Sequence, residues 1–371
     1  MELIELFKYF IGRKSETPDD GGLLDFIEEY LKGFNAVRVD VADVKNLFIY
    51  KKFSEGEHLC FAGHVDVVPA GNCWDTNPYD AVEKGGYIYG RGAQDMKSGV
   101  AAFTQAVKET KEFKGTLSLL LTSDEEGEAI NGTVKVLEFL KKNEMLPDAC
   151  VIAEPTCEER FGDAIKVGRR GSINGYLTLK GKQGHAAYPE KAKNPIHQIA
   201  EVLGNMAGID LDSGDEFFAP SKFVITDIRS GMQVTNVTPN ELQMMFNVRN
   251  NTKTTQHDIV TFVAEHLNGV DYELHLTQGS YPFNTNRDTK IVKHIDRAIE
   301  EITGIAPKYS TAGGTSDARF ISSMGIDVIE FGVKNDSIHS VNERTSRKEV
   351  EDLYRVFKML IAHWDVEYKI H

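Results

Sequence analysis

At five places from position 64 to position 339, residues able to bind metal ions stand at the ends of apolar, strand-like runs. His64 closes CFAGH, Asp95 lies in GRGAQDMKSG and the pair Glu125-Glu126 follows LSLLLTSD; Glu154 follows ACVIA and His339 lies in NDSIHSVNE. Side chains so distant in sequence meet only if a folded sheet gathers its strand ends. In open α/β sheets, ligands and reacting groups collect just beyond the carboxyl ends of the strands. The spacing therefore predicts an α/β protein with a metal-dependent site at one end of its sheet.

Periodicity supports that class. Helical spacing over 2–11 and 20–33 precedes the strand-like LFIYKKF and HLCFAGH. MKSGVAAFTQAVKETKEF then reads as a helix, GTLSLLLTSD as a strand, TVKVLEFLKKN as a helix and DACVIAE as a strand. Near-continuous apolar strands alternating with helices predict a mixed, mostly parallel sheet covered by helices. After about residue 170 the style changes. INGYLTLKG, KFVITDIRS, ELQMMFNVRN and YELHLTQG alternate like half-exposed strands, with helices at NPIHQIAEVLGNMAG and DIVTFVAEHLN. That βαββαβ order is the ferredoxin-like split pattern. From about residue 285 the first style returns. The expected organisation is a discontinuous catalytic domain, residues 1–170 and 285–371, interrupted by a smaller α+β domain over 171–284.

Length and charge narrow the function. At 371 residues the chain exceeds what one core usually supports. Its 42 basic and 56 acidic residues leave a formal net charge of −14, which repels phosphate backbones and argues against nucleic-acid partners. The apolar runs are too short for a membrane span. Glu2 and Glu5 stand where a secretion signal would carry basic charge, and the four cysteines lack CxxC spacing. The expectation is a cytoplasmic protein.

The chemistry follows from residue types. Residues two apart on a strand share a face, so Asp66 is expected to face His64 and to accept the second N–H of a ligating imidazole. Asp95, between a glycine-rich turn and a helix start, could bridge two cations. Adjacent Glu125 and Glu126 on a strand end would point different ways. One could then ligate a metal while the other handles a water proton, as metal-assisted hydrolysis requires. Each residue alone has an ordinary reading: HxD arises by chance, carboxylate pairs are usually solvated, and a lone histidine is usually structural. The whole set argues for a site. GRGAQDMKSG contains neither GxGxxG nor GxxxxGK[ST], which disfavours a phosphate-binding loop.

Taken together, HVDVVPAG, GRGAQDMKSG, TSDEEG, AEPT and IHSVNE resemble, in order and spacing, the motifs of the M20 family of co-catalytic zinc hydrolases. The resemblance spans essentially the whole chain. It implies that His64 and Glu154 ligate one zinc and Glu126 and His339 the other, with Asp95 bridging. It also implies that Glu125 is the general acid/base and Asp66 the catalytic aspartate beside His64. Two divalent cations are expected, zinc or alternatively cobalt or manganese. A homodimer formed through the inserted domain is implied as well.

Within that family, GRRGSINGYLTLKGKQGHAAYPE, GGTSDARFI and NDSIHSVNE are similar to deacylases of succinylated diamino diacids. The implied activity is hydrolysis of a succinyl amide on a small substrate of lysine and diaminopimelate biosynthesis. Bidentate arginines suit the carboxylates of such a substrate. Arg169 and Arg249 are the candidates, with Gly314 and Thr315 of GGTSDAR. Asn236, Tyr188 and Asn335 stand at matching family positions. His185 is implied as a donor to the developing oxyanion, supplied across a dimer. Two other readings stay open: a related deacylase or dipeptidase, and a non-catalytic ligand-binding relative, which should lack a ligand or the base.

Overall fold

Leu59, Phe61, Leu117, Leu119, Leu121 and Val151 are all fully buried, as continuous apolar strands covered on both faces must be. In the computed structural model, which describes residues 1–366, they lie in one eight-stranded sheet. Its order is Asn35–Arg38, Asn46–Lys52, Thr116–Thr122, His58–His64, Ala149–Ile152, Asp327–Glu330, Ala164–Lys166 and Lys308–Ser310. The centre is parallel from Thr116–Thr122 through Asp327–Glu330. The first two strands add antiparallel pairs at one edge, and Ala164–Lys166 meets Asp327–Glu330 antiparallel. The sheet is mixed with a parallel heart.

The chain divides into two compact units, and the eight-stranded sheet belongs to the first, Met1–Gly168, Thr285–Ser310 and Ser316 onward. Helices Leu3–Ile11, Lys97–Glu109, Lys290–Thr303 and Arg347–Ala362 pack on one another. Phe61 of the sheet packs against both Phe103 and Phe357, at 5.8 and 5.2 Å between ring centroids, the second edge-on. Helix Thr133–Lys142 instead packs on Asn46–Lys52 and Thr116–Thr122. Every residue of Lys97–Glu109 from Lys97 to Val107 is buried, so this helix is enclosed on all sides. Its small residues permit that. A Cβ added at Gly99 would come 2.4 Å from both the Cβ and the carbonyl oxygen of Ala153. Gly332 approaches from elsewhere: its added Cβ would lie 2.3 Å from the Glu154 carbonyl oxygen. The Ala153-Glu154 backbone is gripped between two glycines.

The second unit is Arg169–Asn284 with Thr311–Thr315. Its sheet runs Phe223–Ser230, Glu241–Val248, Ser172–Lys180, Tyr272–Ser280, antiparallel throughout, which is the βαββαβ arrangement. One face buries Ile173, Leu177, Leu179, Phe223 and Phe246 against Ile199, Ile259 and Val263. The first helical segment departs from expectation. The run from Asn194 forms two short helices, Pro195–Ala200 and Leu203–Met206, with Glu201 and Val202 between them. Among the described residues no helix is long and apolar enough to cross a membrane.

Candidate metal centre

Three neighbouring parallel strands deliver the first part of the site. His64 is the last residue of His58–His64 and pairs in register with Thr122. Glu125 and Glu126 lie in a turn beyond Thr116–Thr122, not on the strand end expected for them. On the other flank, Glu154 follows Ala149–Ile152 by two residues. Asp95 and His339 close no strand. Asp95 sits in the turn before helix Lys97–Glu109 and is joined to Met96 by a cis peptide. His339 lies in a turn with φ 57°, a left-handed conformation uncommon for a side-chain-bearing residue and typical of functional sites.

The five candidate ligands converge nonetheless. His64 Nε2 is 3.1 Å from Asp95 Oδ1 and 3.6 Å from Glu154 Oε1. His339 Nε2 is 2.9 Å from Glu126 Oε1 and 3.5 Å from Asp95 Oδ2. Asp95 thus offers one oxygen to each histidine. Donor atoms of His64, Asp95 and Glu126 lie within 4.8 Å of one another, and so do those of His64, Glu125 and Glu154.

Asp66 behaves differently from the period-two expectation. The backbone carbonyl of Asp66, not its carboxylate, accepts the His64 Nδ1–H at 2.9 Å; the nearest carboxylate oxygen stands at 3.6 Å. The strand ends at His64, so strand alternation no longer governs residue 66. A carbonyl can only accept, so this contact puts a proton on Nδ1 and turns Nε2 towards Asp95 and Glu154. Asp66 Oδ2 accepts from Thr17 and from the backbone amide of Glu126 at 3.2 Å, while its buried Oδ1 has no hydrogen-bond partner.

Charge is crowded here. Burial would lower the His64 pKa, but the neighbouring carboxylates of Asp66, Asp95 and Glu154 hold it well above its usual value. Hydrogen bonds to Asp95 and Glu126 carry His339 up to about 10. Burial and the charge of Asp95 push Glu154 up to about 8. Burial also raises Glu125 well above the carboxylate range, with Glu154, Asp317 and Asp95 adding to it against the opposing pull of His64. Several buried carboxylates facing two imidazoles need positive charge to be stable together. Oxygen and nitrogen donors of this kind fit divalent cations such as zinc, cobalt or manganese.

Two loops carry Asp95 and His339, and sequence reasoning missed what holds them. Glu343 is 1% exposed and accepts hydrogen bonds from the backbone amides of Gly92, Gln94 and Asp95 and from Arg91. Gln94 and Arg91 reach on to the 335–340 loop. Glu343 closes the IHSVNE motif, but the motif alone does not say that its carboxylate is buried or what it holds.

The remaining candidates sit as follows. Asn335 is in the first unit, its amide donating to Cys157 O at 2.9 Å. Within the second unit, Arg169 is buried and donates to Ala312 O at 3.1 Å, beside Gly314 and Thr315 in the chain. His185 and Asn236 are exposed and adjoin through the Ala186 amide on Asn236 O at 2.9 Å. Tyr188 lies edge-on to His185 at 5.8 Å. Arg249 is exposed and its charge is felt by Arg170.

Comparison with known proteins agrees with this architecture. The model of peptidase family M20/M25/M40 matches residues 60–363. The chain is similar to the succinyl-diaminopimelate desuccinylase of Sulfurimonas denitrificans, 71% identical over 364 residues, 98% of this chain and 100% of that one. The enzyme of the same name from Nitratiruptor sp. is 65% identical over 361 residues, 97% and 99% of the two chains. Among solved structures, aminopeptidase PepT from Bacillus cereus matches with a TM-score of 0.80 at 19% identity over 98% of each chain. The YXEP protein of Bacillus subtilis, a dinuclear metal binding peptidase, matches at 0.71 and 15% identity over 97% and 96%. At such identities these two attest the fold.

Proposed function

This chain belongs to peptidase family M20/M25/M40, and on that premise we propose that it is a metal-dependent amidohydrolase. It removes succinate from N-succinyl-LL-2,6-diaminopimelate to give LL-2,6-diaminopimelate in lysine and diaminopimelate biosynthesis. The full-length likeness to desuccinylases supports the substrate. The Asp95 carboxylate, with one oxygen towards each histidine, is the observation that carries the chemistry.

In this reading His64 and Glu154 hold one divalent cation and Glu126 and His339 the other, with Asp95 between them; zinc is the ion we propose. When bound, the cations supply Lewis acidity towards the amide carbonyl and ease deprotonation of water. Glu125 takes the proton of the attacking water and later delivers it to the departing amine. Its place beside His64 and Glu154 puts it within reach of a water held there. Asp66 fixes His64, so Nε2 keeps its lone pair. His185 donates to the oxyanion across a homodimer formed through the inserted domain, residues 171–284. Arg169, Arg249, Asn236, Asn335, Gly314 and Thr315 bind the substrate's carboxylates and backbone. Such a biosynthetic substrate fits a cytoplasmic location.

The test is side-by-side turnover of N-succinyl-LL-2,6-diaminopimelate, N-acetylornithine and a dipeptide by purified protein. The succinylated substrate should be strongly preferred; equal or reversed preference would overturn the assignment.

A further inference from the structure

Glu343 lies in a polar stretch yet is almost wholly enclosed, and every position of its carboxylate is used. Oε1 accepts from the Gln94 amide at 2.8 Å and the Asp95 amide at 3.1 Å. Oε2 accepts from the Gly92 amide at 3.0 Å and from Arg91 at 2.7 Å. Four hydrogen bonds saturate a carboxylate and fix the 91–95 backbone from one point.

The same small group reaches the second loop. Gln94 Oε1 accepts from the amides of Ser337 at 2.8 Å and Asp336 at 3.2 Å. Its Nε2 donates to Asp336 Oδ1 at 2.8 Å and Arg344 O at 3.1 Å. Arg91 donates to Ser340 O at 3.2 Å and to the carbonyl of His339 itself at 3.5 Å. The loop carrying Asp95 and the loop carrying His339 are therefore tied through one buried acid and its two neighbours. Coordination tolerates errors of only about 0.2 Å, so a clamp of this kind has a direct consequence for any cation the two loops share.

We propose that Glu343 is a positioning residue that, with Arg91 and Gln94, sets the spacing of Asp95 from His339 and so governs occupancy of the cation site those residues form with Glu126. The proposal rests on the reading above that these side chains hold cations. Glu343 itself touches neither substrate nor ion.

The test titrates metal-free full-length protein with Co²⁺ alone, reading dissociation constants by calorimetry and ions per chain by elemental analysis. Glu343→Gln keeps the shape but sets an amide NH₂ among N–H donors. It should retain one Co²⁺ near the wild-type affinity, while the dissociation constant of the second rises at least about tenfold. Loss of a buried charge can unfold a chain, so Gln94→Met serves as the second variant. It removes the Gln94 share of the link to the 335–340 loop, leaves Arg91 with its bonds to Glu343 and to the His339 and Ser340 carbonyls, and should weaken the same ion. Two Co²⁺ held with unchanged constants by Glu343→Gln, or by Gln94→Met if the first does not fold, overturn the proposal. Desuccinylation is assayed separately on the wild type: two Co²⁺ bound without turnover would sink the substrate assignment and leave the clamp standing.

Discussion

Asp95 meets His64 through only one carboxylate oxygen: Oδ1 stands 3.1 Å from Nε2, and Oδ2 is left to face His339 at 3.5 Å. A carboxylate split in this way serves two sites at once. Asp95→Ala should therefore weaken both cations, each by at least 10–100-fold, roughly the effect of losing even an outer-shell group. Elemental analysis after dialysis checks this; a variant that keeps both ions would show that Asp95 does not bridge.

Glu125 is half-buried beside His64 and Glu154 but is assigned the proton rather than a cation. Glu125→Gln should lower kcat by about 10²–10⁴-fold, the usual contribution of a general acid/base, with bound metal unchanged. Steady-state kinetics beside metal analysis separates the two roles. Loss of an ion with the activity would make Glu125 a ligand.

The grip on the Ala153-Glu154 backbone also makes a prediction. Gly99→Ala places a methyl 2.4 Å from the Ala153 carbonyl oxygen, and backbone cannot step aside as a flexible side chain would. Overpacking of this kind destabilises by about 1–3 kcal/mol. Urea unfolding should show a lower midpoint, and kcat should fall because Glu154 moves with Ala153. An unchanged midpoint and kcat would mean that the helix shifts freely.

His58 sets an acid limit on the fold. Its half-buried ring lies 2.7 Å from Ser118 Oγ, and loss of solvent pushes its pKa down to about 4. Between pH 6.5 and 4 the unfolded chain then binds a proton that the native state refuses. Stability is lost as pH falls through that window, by up to about 1.4 kcal/mol per pH unit from this group. His58→Gln should flatten the dependence of urea stability between pH 7 and 5; an identical slope in the variant would assign the acid sensitivity elsewhere.

The catalytic sheet was legible because its strands are buried on both faces, which forces near-continuous apolar runs such as Leu117–Leu121. His64 and Glu154 were legible for the same reason, standing at or just past the ends of such runs. Other features depend on tertiary contacts that leave no local trace. The turn holding Glu125 and Glu126 is shaped by Asp124, whose carboxylate takes the Asn131 amide at 2.9 Å. Asp66 presents its carbonyl to His64 because the strand has already ended. Glu343 reads as a surface acid because all its partners lie some 250 positions earlier in the chain.

Zinc stoichiometry against turnover tests the central claim most directly. Protein stripped with a chelator and refilled stepwise with Zn²⁺ should regain hydrolysis of N-succinyl-LL-2,6-diaminopimelate as the ion binds, reaching its plateau at two ions per chain. Full turnover by the stripped protein would contradict the account.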